Sequence, residues 1–335
     1  MKAKYFRYLL EFKRPGGTSR GVLREKETFI LEVEENGKKG IGECALFRGL
    51  SYDDRPDYEE KLQWLCDNIN LEPSRLKKEL NEFPSLWFGY EQAILNLRHG
   101  ENLYFPGEFT EGKSAIMING LIWMGDVQYM EEQIREKLEQ GFHCIKLKIG
   151  VDWESEHKIL KELRGKFSAE TLELRVDANG GFSREEAEVV LQQLADLHIH
   201  SIEQPVKAGN WKDMAALCAK TPTPVALDEE LIGITDPDEK KRLLETIKPQ
   251  YIILKPALVG GFAGSDEWIS LAEDLNIGWW ITSALESNIG LNAIAQYTFT
   301  KKSPMPQGLG TGSLFVNNFE SSLQLDNELL WFKTR

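Results

Sequence analysis

LELRVD (172–177), IHSIE (199–203), PVALD (224–228) and YIILK (251–255) are four short apolar runs, each ending on a charged residue. The closing residues Asp177, Glu203, Asp228 and Lys255 follow one another at intervals of 26, 25 and 27 residues. That interval is the length of one strand, one helix and the two loops that join them, so each residue ends the strand of a successive βα unit. In a parallel barrel all strands run the same way, and the residues at their C-terminal ends converge on one mouth, where such barrels carry their chemistry. The spacing therefore predicts three carboxylates and one amine around a single pocket.

The alternation extends in both directions. Upstream lie strand-like AIMIN (115–119), the helical run DVQYMEEQIREKLEQG (126–141), CIKLKIG (144–150) and a helix around 155–165; downstream lies GWWITS (278–283). Ser183 followed by Glu186 reads as a capping box that opens a helix just past Asp177 and Asn179. With helical runs near 210–220, 237–246 and 264–275, the pattern gives about seven strand–helix units and a last strand near residue 307. The expected fold is α/β, a modified TIM barrel of (β/α)7β type spanning 111–314.

Residues 1–110 read as an α+β capping domain. YFRYLLEF (5–12) and ETFILEVEE (27–35) alternate like half-buried strands, Asn36-Gly37 marks a hairpin, and helices are expected at 55–69, 74–82 and 85–98. RPGGTSRG (14–21) between the first two strands reads as a loop, either an ordinary hairpin connection or a lid over the barrel mouth. The tail 315–335, with Trp331 and Phe332, is expected to pack back and complete the cap.

A formal charge of −13, spread along the chain, argues against a nucleic-acid partner, whose phosphates demand a basic face. No apolar stretch approaches the roughly 20 residues that cross a bilayer. Cys44, Cys66, Cys144 and Cys218 show neither CxxC pairing nor a dense framework, so buried thiols in a reducing cytoplasm are expected. Cys44 beside Glu43 is the one candidate nucleophile among them, without a histidine nearby in sequence. The partner expected is a small molecule; oligomeric state is not readable.

Asp177, Glu203 and Asp228 are hard oxygen ligands with no cysteine or histidine at zinc spacing, a set suited to Mg²⁺ or Mn²⁺. Without a cation the three would repel one another. Acidic residues at strand ends also cap following helices, but three in successive units, flanked by strands ending in lysine, are harder to explain that way. Lys146 and Lys148 are two apart and share one side of their strand, and periodicity leaves open whether that side faces the barrel interior or solvent. Lys255 lies half a barrel away from Lys148, and amines on opposite sides of a metal-bound carboxylate suit proton abstraction at the adjacent carbon. A neighbouring cation and the metal would lower such a lysine toward working pH. A Schiff-base barrel using Lys255, or a metal-free scaffold, would leave the carboxylate trio without a role.

KLK at 146–148, VDAN ending at Asn179, IEQP (202–205), LDEE (227–230), LKPALVGG (254–261) and GIGECAL (40–46) together resemble the enolase superfamily, in its muconate-lactonizing branch. Members of that superfamily pair lysine bases with Mg²⁺, which stabilises the enediolate that proton abstraction creates. The resemblance implies an enolase-like barrel with an N-terminal cap, a divalent metal on Asp177, Glu203 and Asp228, and a carboxylate substrate. ITSALESNIGLNAIAQ (281–296) and PQGLGTG (306–312) resemble the dehydrating members of the branch. That implies loss of water from 2-succinyl-6-hydroxy-2,4-cyclohexadiene-1-carboxylate, with Lys148 as base and then acid, Lys255 stabilising the enediolate, and Lys146 in electrostatic support. Thr282, Ser283 and Gly308 would hold substrate, joined by Asn179 and by Arg20 of the 14–21 loop. Racemisation of N-succinyl amino acids is the alternative; dipeptide epimerisation is disfavoured because GLGTG (308–312) carries no carboxylate for a substrate amine.

Overall fold

The computed structural model describes residues 1–18 and 21–333. β1 (Lys2–Thr18), β2 (Gly21–Glu35) and β3 (Lys38–Cys44) form an antiparallel sheet. Asn36 and Gly37 both take positive φ, 51° and 77°, as a two-residue hairpin turn with the right twist demands. Helices α1 (Tyr58–Asp67), α2 (Pro73–Glu79) and α3 (Pro84–His99) cover one face. The glycines of GIGEC allow this: a Cβ on Gly40 would lie 2.1 Å from Ala93 O, and one on Gly42 2.0 Å from Gly89 O, so α3 rests directly on the β3 backbone. Phe29, Leu31 and Val33 of β2 pack there with Leu62, Leu65 and Leu86.

The stretch expected as a loop at 14–21 is largely strand. After a register break beyond Glu11, the ladder resumes with Gly16 opposite Leu23, Gly17 opposite Val22 and Thr18 opposite Gly21. Backbone pairing, which glycine does not prevent, extends the hairpin into an arm; Arg20 lies outside the described residues.

β4 (Ile116–Met117) precedes the barrel, which runs β5 (Gly120–Ile122), α4 (Val127–Glu139), β6 (Cys144–Lys148), α5 (Trp153–Lys166), β7 (Glu173–Asp177), α6 (Arg184–Asp196), β8 (Ser201–Glu203), α7 (Trp211–Lys220), β9 (Val225–Leu227), α8 (Pro237–Ile247), β10 (Tyr251–Leu254), α9 (Gly261–Asp274), β11 (Gly278–Ile281) and α10 (Asn288–Lys301). β5 to β11 form one parallel sheet in sequence order. Parallel bridges from Thr282 to Gly308 and from Ile118 to Gln307 close it, so residues 307–308 serve as the last stave. AIMIN is not the first barrel strand as a unit: Ile116 and Met117 pair instead with β13 (Leu329–Phe332), and the barrel strand starts at Gly120. The capping box of Ser183 and Glu186 is formed.

The C-terminal segment divides. Residues 314–317 run along β1, with Lys13 N–H donating to Leu314 O at 2.8 Å, Val316 N–H to Glu11 O at 2.9 Å and Asn317 Nδ2 to Leu9 O at 2.7 Å. β12 (Leu323–Asp326) and β13 then form a hairpin that adds to β4. Among the described residues no helix is long and apolar enough to cross a membrane.

Candidate active site

The barrel turns the strand ends inward as the spacing predicts. Asp177 ends β7, Glu203 ends β8, and Asp228 and Lys255 follow β9 and β10 by one residue. The question that periodicity left open for β6 is resolved: Lys146 and Lys148 face the interior, while Ile145, Leu147 and Ile149 are buried in the core between barrel and helices. Lys148 Nζ donates to Asp177 Oδ2 at 2.8 Å and to Asn179 Oδ1 at 2.7 Å. Lys146 Nζ lies 2.7 Å from Glu203 Oε2 and 3.6 Å from Asp177 Oδ2. Lys255 Nζ pairs with Asp228 and lies 3.8 Å from Glu203 Oε1. β6 and β10 are four strands apart in the sheet order, so Lys148 and Lys255 approach the pocket from opposite walls.

These charges are almost fully withdrawn from water, which fixes their titration. Burial pushes the Lys255 ammonium down, but Asp228 and Glu203 outweigh it and hold its pKa above the ordinary lysine value. Lys146 is likewise raised, burial being outweighed by Glu203 and Asp177. For Asp177, burial is outweighed by Lys148, Lys146 and Lys255, and its carboxyl sits below the usual range. Of the protein's own charges, the adjacent carboxylates outweigh the adjacent ammoniums at Lys146 and Lys255.

Among the described residues no three acidic, histidine or cysteine side chains are gathered closely enough to grip a metal as they stand. The donor set nonetheless fits one. Three carboxylates stand at adjacent strand ends, Asp177 lining the pocket with Glu203 and Asp228 behind it, and Glu203 Oε1 is buried with no hydrogen-bond partner, 3.8 Å from Lys255 Nζ. An oxygen acceptor left in that state costs about 1–3 kcal/mol, which a divalent cation would recover.

The pocket itself is lined by Lys146, Lys148, Asp177, Asn179, Lys255, Thr282, Ser283 and Gly308, so eight of the residues expected from sequence share one wall system. Glu203 and Asp228 lie behind the lysines. Thr282 Oγ1 donates to Gly308 O at 2.8 Å, and Ser283 Oγ meets Thr311 Oγ1 at 2.6 Å. Sequence reading missed Phe47, Leu50, Asn119, Leu121, Trp123, Leu285 and Thr311 in the lining. Phe47 and Leu50 come from the cap, and only an apolar pair in the polar loop after GIGECAL hints at them. Burial pushes the Cys44 thiol well up, and all four cysteines are free and buried, so Cys44 is packing and not a nucleophile.

A model of the enolase C-terminal domain-like family matches residues 129–322, more than half of the chain. The chain belongs to the enolase superfamily. Within the enolase superfamily it is 45% identical, over 98% of both chains, to the o-succinylbenzoate synthase of Desulfotalea psychrophila. The crystal structure of MenC from Desulfotalea psychrophila superposes with a TM-score of 0.88 at 41% identity, covering 99% of each chain. The N-succinylamino acid racemase of Thermus thermophilus is 33% identical over 82% of this chain and 75% of its own length. Enolase-superfamily enzymes use a divalent metal, in keeping with the carboxylate trio.

Proposed function

We propose that the chain catalyses the Mg²⁺-dependent syn-dehydration of 2-succinyl-6-hydroxy-2,4-cyclohexadiene-1-carboxylate to o-succinylbenzoate, the o-succinylbenzoate synthase reaction of menaquinone biosynthesis. The observation that carries the reading is the pair Lys148 and Lys255 on opposite walls of one pocket above buried carboxylates, in a chain 45% identical along 98% of its length to such a synthase. Asp177, Glu203 and Asp228 would hold the metal, Mg²⁺ or Mn²⁺, which when bound supplies positive charge against the substrate carboxylate.

Lys148, as the neutral amine, takes the proton from the carbon bearing the ring carboxylate. Asp177 and Asn179, its hydrogen-bond partners, orient Nζ. The ammonium so formed returns that proton to the hydroxyl leaving from the neighbouring carbon on the same face, so water departs and the ring becomes aromatic. Lys255, on the wall opposite Lys148, presents its ammonium to the other face of the ring, where negative charge develops in the transition state. Lys146 balances Glu203 and Asp177 and adds to the field. Thr282, Ser283 and the Gly308 backbone bind the succinyl-bearing substrate, and Phe47, Leu50 and Trp123 exclude water from above. Residues 1–110, joined along β1 by 314–317, form the cap of this arrangement and 111–314 the barrel, with the β12–β13 hairpin added to β4 instead of to the cap, in an enzyme of the cytoplasm.

The test is turnover of the cyclohexadiene carboxylate with and without EDTA, for the parent chain and Lys148→Ala. Loss of general acid–base catalysis typically costs 10²–10⁴-fold, and a fully active Lys148→Ala protein would remove the assignment. A second reading, racemisation of N-succinyl amino acids, is favoured by the opposed lysines and the 33% identical racemase. Deuterium exchange into an N-succinyl amino acid in D₂O without dehydration would select it.

A further inference from the structure

Two carboxylates of the cap end on the backbone of the barrel, and neither takes part in the chemistry above. Glu91, on α3, accepts from the Phe262 N–H at 2.6 Å and the Ala263 N–H at 3.1 Å. These amides open α9, whose own N-cap residue, Gly260, has no side chain to offer. Gly261 makes the approach possible, since a Cβ there would lie 2.1 Å from Glu91 Oε2. Glu43, on β3 and fully buried, accepts from the Ser287 N–H at 3.0 Å, the Ser287 hydroxyl at 2.6 Å and the Gly290 N–H at 3.0 Å, all at the start of α10. The two are joined on the cap side. Gln92, next to Glu91, donates to the Glu43 carbonyl at 3.1 Å and accepts from the Glu43 N–H at 3.2 Å. One turn of α3 thus governs the start of both helices.

What precedes those helices is the site. The Lys255 carbonyl accepts from the N–H groups of Leu258 at 2.8 Å and Val259 at 3.2 Å, and the Pro256 carbonyl from Gly261 N–H at 2.8 Å, so the turn from Lys255 to Glu91 is hydrogen-bonded throughout. Before α10 runs Thr282 to Leu285. There Glu286 Oε2 accepts from Ala284 N–H at 2.7 Å, and Leu285 is held at a φ of 62°, a backbone state that a leucine keeps only under constraint. The first amides of a helix lack partners within it and carry its positive end, so a carboxylate fixes them by hydrogen bond and, when ionised, by charge; burial pushes the Glu91 carboxyl up to about 7 against the lowering effect of the Phe262 and Ala263 N–H groups.

We infer that Glu91 and Glu43 are positioning residues: Glu91 fixes the turn that carries Lys255, and Glu43 fixes the segment that carries Thr282 and Ser283. The inference rests on the roles given to those three residues under the proposed function. A misplacement of about 1 Å at a reacting group costs on the order of a hundredfold in rate. Lys255 acts on the chemical step, and the hydroxyls act on binding, so the two carboxylates have different kinetic signatures.

Glu91→Gln and Glu43→Gln keep the side-chain size but remove the charge and one acceptor. Glu91→Gln is expected to lower kcat roughly tenfold to a hundredfold with KM within about twofold, and Glu43→Gln to raise KM by a similar factor with kcat near the parent value. Amide hydrogen exchange of the intact Mg²⁺-loaded protein is expected to quicken in 255–263 for Glu91→Gln alone and in 282–290 for Glu43→Gln alone. Equal effects on kcat and KM in both variants, exchange that rises throughout the chain, or no change in either readout would overturn the inference. Should Glu91→Gln fail to fold, Glu91→Asp withdraws the same carboxylate by one methylene with its charge intact and is expected to reproduce the kcat loss. If the parent protein does not dehydrate the substrate, the functional reading falls, while the segment-specific exchange still decides the positioning.

Discussion

Replacing Lys255 by methionine removes one of three ammoniums that face three buried carboxylates while keeping a stem of similar length. In the parent, Lys255 pairs with Asp228 and lies 3.8 Å from Glu203 Oε1, and both acids are only 2% exposed. Lys146 and Lys148 are already committed to Glu203 and Asp177 at 2.7 and 2.8 Å, so neither can take over Asp228. Breaking a buried pair in this way costs up to about 3–5 kcal/mol if the charge is left unpaired out of water, the upper end applying above the pKa of Asp228, which burial pushes well above the usual carboxylate range. That is a large share of the 5–15 kcal/mol that typically holds a domain together. In EDTA the Lys255→Met protein should therefore unfold at markedly lower urea than the parent. A divalent cation replaces the lost charge, so Mg²⁺ should restore most of the difference and bind the variant more than about a hundredfold tighter than the parent, as 3 kcal/mol implies. Urea unfolding with EDTA and with Mg²⁺, together with calorimetric titration, measures both quantities. Equal unfolding midpoints in EDTA, or equal Mg²⁺ affinity for the two proteins, would refute the view that Lys255 compensates the metal-binding acids.

Other outcomes follow from the same structure. Lys148→Ala should lose dehydration by about 10²–10⁴-fold while its circular dichroism stays that of the parent, since general acid–base catalysis has that worth; comparable kcat would reject its role. Gly308→Ala places a Cβ 2.1 Å from Thr282 Oγ1 at the seam that closes the barrel, and overpacking of this kind costs about 1–3 kcal/mol in urea unfolding; an unchanged midpoint would show that the seam gives way freely. Burial pushes Asp53 up to about 6 against the lowering effect of the Ser85 hydroxyl and N–H. Its folded pKa is above its unfolded value, so the stability it confers is full below about pH 4 and is lost as pH rises through 6, by at most about 3 kcal/mol. The gap between parent and Asp53→Asn in urea unfolding should therefore shift in favour of the variant from pH 4 to 7, and a gap that stays flat would count against the buried charge.

The barrel was legible because four successive strands end on, or are followed at once by, a charged residue at a nearly constant interval, a long-range regularity that survives ambiguity in any single element. The β6 lysines were not, since Lys146 and Lys148 alternate with Ile145, Leu147 and Ile149, and both faces of a buried parallel strand accept side chains. AIMIN misled for a related reason: two residues of an apolar pentapeptide pair with a strand more than 200 residues later, and nothing local records such a partner. The arm at 14–18 reads as a loop by its glycines and proline, yet the ladder to β2 overrides local preference. The pocket lining from the cap was least visible, because Phe47 and Leu50 gain their role only when a separately folded layer is set across the barrel mouth.

The seam between 314–317 and β1 joins positions some 300 residues apart in sequence, as the Tyr8 hydroxyl bond to Asn317 O shows. A ribosome extends the chain from one end, so β1 waits for its partner until some 300 further residues have been made, with its outer edge open in the interval. Contacts of such separation form late, after their loop entropy has been met by earlier structure. The hairpin arm, which sets Gly16 against the ring of the pocket-lining Trp123, is therefore fastened only once that distant segment has been made. Loss of a few residues near position 315, far from Lys148 in the chain, would then be felt at the mouth of the pocket as surely as a substitution within it.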